Sequence, residues 1–118
     1  MTDLTKNLDY QPLIRILLQK TEEGKLLWQP TADERWFLAP AGGQQTFEIG
    51  RLESGYELLS RGADGGLLLS IERYAADAEL PSERKEYVLL ARLYDHAKRI
   101  ARRIDENVES TLTLLEKL

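Results

Sequence analysis

The sequence predicts an α+β fold: an N-terminal helix, an antiparallel meander of four to five strands, and a long C-terminal helix packed on one sheet face. Three observations carry that reading. Apolar residues recur at helical spacing near the start, the period drops to two from Lys25 to Arg73, and helical spacing returns after Ser82. Gly-containing turn signals separate the period-two runs at hairpin intervals, too short for the crossovers that parallel strands need.

The first helix is read over Asp9 to Gly24. Leu13, Ile16 and Leu17 form its stripe, Tyr10, Ile14 and Leu18 widen it, and Lys20, Glu22 and Glu23 keep the far side polar. Asp9 is the expected N-cap, and Pro12 falls in the first turn, where no intrahelical N–H is lost. Gly24 suits the left-handed position that closes a helix.

Five short runs follow: Lys25 to Gln29, Arg35 to Ala39, Gln45 to Leu52, Tyr56 to Arg61, and Leu67 to Arg73. Pro30, Pro40 with Ala41-Gly42-Gly43, Glu53-Ser54-Gly55, and the loop Gly62 to Gly66 punctuate them; Asp64-Gly65 is a tight-hairpin signal. Phe47 and Ile49, Tyr56 and Leu58, and Leu67, Leu69 and Ile71 fall on one face, with Glu48, Glu57, Ser70 and Glu72 on the other. The sheet therefore has one face to bury, and its neighbours in sequence are helices.

A loop is expected from Tyr74 to Pro81, with Ser82 as N-cap of the long helix. Leu90, Leu93, Ala97, Ala101, Ile104, Val108, Leu112 and Leu115 keep one stripe almost to the C-terminus. Whether this is one helix or two joined near Asp105 to Asn107 stays open, because Asp105 would cap a second helix while the apolar phase runs through unbroken.

Composition narrows the function. The 118 residues are 42% hydrophobic and 31% charged, the range of a single globular domain spanning 1–118. With no Cys and one His there is no thiolate metal site, thiol nucleophile or His cluster, so no metal or cofactor is expected. The start of the chain lacks a basic segment leading into an apolar run, and no stretch approaches a membrane span, which points to a cytoplasmic protein.

The order of Thr21, Gly24-Lys25-Leu26 and Trp28, with Leu93-Tyr94-Asp95-His96-Ala97-Lys98-Arg99 far downstream, resembles a diffuse group of small bacterial proteins of uncharacterised function. That group has a helix, a GKLxW strand, hairpins and an LYxxAxR helix. The resemblance implies a bacterial or phage-related source and an α+β fold, and brings no catalytic residue with it. Small proteins of this kind sometimes act in conflict between bacteria and phages.

Charge is unevenly spread. Arg84, Lys85, Arg92, Lys98, Arg99, Arg102 and Arg103 face only Glu86 and Asp95 in the stretch 84–103, a net +5 in a chain whose total is -4. On a helix, Arg92, His96, Arg99 and Arg103 share an arc of roughly 60°, away from the apolar stripe. Such a row suits a phosphate, a carboxylate or a small nucleotide-like anion, or else is a solvated face. The acidic total argues against a nucleic acid. Trp28, Trp36, Tyr87 and Tyr94 are expected in the core, and Gly42-Gly43 and Gly62 to Gly66 in hairpin turns, since neither cluster has a phosphate-loop pattern. Asp95 cannot orient His96, because adjacent helical positions diverge by about 100°. The pairs Glu22-Glu23, Asp33-Glu34 and Asp105-Glu106 sit at expected helix ends or loops, without a catalytic partner set. The expected function is a non-enzymatic interaction or regulatory module that forms a homo-oligomer or binds a protein, because the helix ends in Leu112, Leu114, Leu115 and Leu118. The alternative is sequestration of a small anion at Arg92, His96, Arg99 and Arg103.

Overall fold

The computed structural model describes residues 9–75 and 81–118, apart from the Asp105 side chain. Along the chain run α1 (Gln11–Glu22), β1 (Gln29–Pro30), β2 (Trp36–Pro40), β3 (Thr46–Arg51), β4 (Gly55–Arg61), β5 (Leu67–Tyr74) and α2 (Pro81–Glu116). The strands form one antiparallel sheet in chain order, so the expected meander and the α+β fold are both present. Of the loop expected over Tyr74 to Pro81, residues 76–80 lie outside the described residues.

In α1 the buried residues are Ile14, Leu17, Leu18 and Thr21, spaced i, i+3, i+4 and i+7. Ile16, expected on the stripe, is 54% exposed, because two positions on from Ile14 is about 200° around the helix. Tyr10 rather than Asp9 occupies the N-cap position, although the Asp9 carboxylate still accepts the Gln11 N–H at 3.0 Å. At the other end Gly24 adopts φ 76°, which lets the Lys25 N–H reach the Lys20 carbonyl and the Gly24 N–H the Thr21 carbonyl. This is a Schellman closure.

That closure also corrects the first strand. The N–H groups of Lys25 and Leu26 both bond back to Lys20, and the fully buried Trp28 donates its indole N–H to Thr21 Oγ1 at 2.9 Å. The segment 25–28 is thus spent on α1, and only Gln29 and Pro30 pair with β2. Thr21 Oγ1 in turn donates to the Leu17 carbonyl at 2.7 Å, so the buried indole and hydroxyl are both satisfied.

Across the sheet, Phe37, Ile49, Leu58 and Ile71 stand in register, flanked by Ala39, Phe47, Ser60 and Leu69. This is the face the helices cover. Leu67 departs from expectation at 54% exposed: a register shift at Ser60 and Arg61 breaks the alternation before it can reach the strand's first residue. Trp36 departs too. It is half-buried on the opposite face, lying over Gly50, where a Cβ would stand 2.3 Å from the indole ring.

The helix α2 is continuous from Pro81, so Ser82 lies inside its first turn instead of capping it. Proline suits the leading position because it has no N–H to satisfy. The helix contacts α1 and every strand, burying Leu89, Leu90, Leu93, Tyr94, Ala97 and Ala101. Its aromatic rings reach the sheet: Tyr94 packs on Phe37 and Tyr56 with centroids 5.5 and 5.4 Å away, and Tyr87 packs on Tyr56 at 5.6 Å.

One charged residue shares this buried stripe. Glu86 is 1% exposed; its carboxylate accepts the Tyr10 backbone N–H at 3.1 Å and both guanidinium contacts of Arg73 at 3.4 Å. It ties the start of α1, β5 and α2 together. Glu86→Ala leaves Arg73 and the Tyr10 N–H without that acceptor, and is expected to lower stability by about 3 kcal/mol in urea unfolding.

Candidate functional site

The four residues of the expected ligand row lie on the side of α2 away from the sheet, and two of them converge on one carboxylate. Glu22, in the last turn of α1, faces His96 Nε2 at 3.7 Å and an Arg92 nitrogen at 3.9 Å. Arg99 is bound by Asp95 one turn earlier at 2.8 Å, and Arg103 is exposed. Three members of the row therefore already have an acidic neighbour within the chain. Such exposed pairs contribute little to stability, but they compete with an incoming anion.

A different set of cations was not singled out from the sequence. Where α2 leaves the sheet, it walls a groove of about 670 Å³ with the 31–35 loop and the β3–β4 turn. Lys98 and Arg102 come from the helix, Arg51 from the end of β3 and Arg35 from the loop, above Phe37 and Tyr94. Burial pushes the Tyr94 phenol above its ordinary value, while the charges of Arg51 and Arg102 pull it back, which places both guanidinium groups in its electrostatic reach. Arg51, Lys98 and Arg102 form no ion pair with any described residue, whereas Arg35 is held by Asp33 at 3.4 Å. The Asp33 carboxyl accepts the Arg35 backbone N–H at 2.9 Å, the main cause holding its pKa below the ordinary range. The signal for this set was available only in part: Lys98 and Arg102 belong to the basic stretch, but their meeting with Arg51 depends on how the helix crosses the sheet.

Beyond the groove the helix leaves the rest of the protein. Residues 106–118 are exposed throughout, 106–116 being about 16 Å of helix, and the molecule measures 65 × 31 × 25 Å. Its radius of gyration of 16.2 Å exceeds the roughly 13.5 Å of a compact domain of this length. Val108, Leu112 and Leu115 continue the arc that buries Leu90, Ala97 and Ala101, yet each is more than half exposed.

The outer sheet face carries a third cluster, Glu48, Glu57 and Glu72. Arg61 donates to Glu48 at 2.8 Å, the Ser70 hydroxyl to Glu57 at 3.2 Å, and the Tyr74 hydroxyl to Glu72 at 3.0 Å. Glu57 and Glu72 stand opposite each other in register. Among the described residues, no three His, Asp or Glu side chains are grouped so as to hold a metal ion. No helix among them is long and apolar enough to cross a membrane. No protein-family model, curated protein or solved structure matches the chain.

Burial raises the Glu57 pKa above its ordinary 4.5, with a hydrogen bond to Glu72 and the charges of Glu72 and Glu48 adding to the shift. A carboxyl with a raised folded pKa holds its proton better folded than unfolded, so its contribution to stability declines as pH climbs from the ordinary carboxylate range through the folded value. Glu57→Gln is therefore expected to raise Tm by about 1–3 °C at pH 7 and to bring no gain near pH 4, as read by thermal melts across pH.

Proposed function

We propose that this protein is a non-enzymatic interaction module that associates with itself through the exposed end of α2. The observation that supports this reading is the single apolar stripe of α2, which continues at unchanged phase past the last strand it can cover. Val108 and Leu112 are each 53% exposed and Leu115 57%, so three large apolar side chains of the stripe stand within two turns of solvent-facing helix. A second copy presents the same stripe, and a two-fold axis lets each cover the other. Small-anion capture by Arg92, His96, Arg99 and Arg103 has less support, since Glu22 and Asp95 already neighbour three of the four.

Sedimentation of the native chain at micromolar concentration is expected to give a multiple of 13.5 kDa. Replacing Leu112 and Leu115 together with Glu is expected to weaken association at least about 100-fold, with circular dichroism unchanged because neither side chain packs in the core. A native chain that stays monomeric across that range overturns the reading.

A further inference from the structure

We infer that the second copy docks antiparallel along α2, so that its C-terminal turns enter the groove beside Tyr94 and its Glu109 and Glu116 meet Arg102 and Lys98. This rests on the self-association proposed above and adds its direction and contacts. The first argument is charge. Lys98 and Glu116 are eighteen residues apart, five full turns, and Arg102 and Glu109 are seven apart, so all four share one flank of the helix. That flank is basic beside the groove and acidic beyond it. About a two-fold axis perpendicular to the helices, each flank meets the same flank of the other copy running in reverse. An axis near Glu106 and Asn107 brings Glu116 within about one residue of the level of Lys98, and Glu109 within about half a turn of Arg102. A parallel pair instead has its two-fold axis along the helices, which puts this flank of the two copies on opposite sides of the interface and leaves Glu109 and Glu116 away from the partner's Lys98 and Arg102.

The second argument is extent. From Ile104 to Leu118 the free stripe covers two heptads, short of the three to four that sustain a coiled-coil seam alone. Antiparallel docking extends the contact onto the groove, where Arg51, Lys98 and Arg102 form no ion pair with a described residue, although Asp33, held by Arg35, and Glu34 and Glu53 line its other wall. The helix contributes both halves of the contact, which a self-complementary two-fold interface requires.

The absence of cysteine from the chain makes the arrangement directly readable. Lys98→Cys and Glu116→Cys are made as two separate single variants and oxidised alone and as an equal mixture. The mixture is expected to yield a disulfide-linked dimer of the two different chains, and neither variant alone to do so. In parallel, Lys98→Glu with Arg102→Glu is expected to raise the dimer Kd about tenfold, and mixing it with Glu109→Lys, Glu116→Lys to restore affinity. If the native chain sediments as a dimer but Glu116→Cys links to itself, or the mixture fails to cross-link, the antiparallel docking is overturned and self-association stands. A native chain that sediments only as a monomer removes both.

Discussion

Everything else in this structure depends on the burial of one helical stripe. Among the described residues, α2 alone touches both α1 and all five strands, and α1 has no close backbone contact with the sheet of its own. Each buried Leu contributes on the order of 2 kcal/mol, and α2 buries Leu89, Leu90 and Leu93. The meander alone has one apolar face and no partner for it. Covering that face sets the position of α2, and the position of α2 sets which cations share the groove and where the helix runs free.

Two polar nodes give that packing its direction. Glu86 stands on the apolar stripe four residues before Leu90 and is held by Arg73 and the Tyr10 N–H. Arg73 also lies 5.7 Å from the Tyr10 ring centre. Thr21 and Trp28 form the second node, joining the end of α1 to the chain that enters the sheet. A purely apolar stripe tolerates sliding by a turn. A buried carboxylate does not, because any other register leaves it without donors.

The uneven charge of the sequence becomes a geometrical feature in the fold. On the side of α2 facing away from the sheet, basic residues meet acids of the same chain, Glu22 and Asp95, and are partly balanced. Along the flank that borders the groove, Lys98 and Arg102 form no ion pair with a described residue, while Glu109 and Glu116 continue the same flank at the far end. The free end of α2 thus combines an uncovered apolar stripe with a flank that reverses sign along its length, the two attributes by which helices choose a partner and a direction.

Helices, strands and their order were legible from periodicity alone, because 3.6 and 2 are local properties of the backbone. The inner-face residues Phe47, Ile49, Leu58, Leu69 and Ile71 could be read the same way. Local signals failed where a residue answered to something distant. Trp28 reads as core from the sequence, but period-two spacing extends its strand too far because the bond to Thr21 lies outside any strand pattern; Trp36 takes the outer face because Gly50, fourteen residues on, leaves room for its ring there. Glu86 had a visible signal, a carboxylate in phase with Leu90 and Leu93, whose meaning required Arg73 from another element. Helical spacing groups the arginine row on one arc, yet sequence does not say that Glu22 comes to meet it. Composition and spacing determined what each element is and which way it faces. Only the tertiary structure decided which charges are already answered and how far α2 outruns the sheet, because both depend on where the helix crosses the strands, a property of packing between elements and of none of them singly.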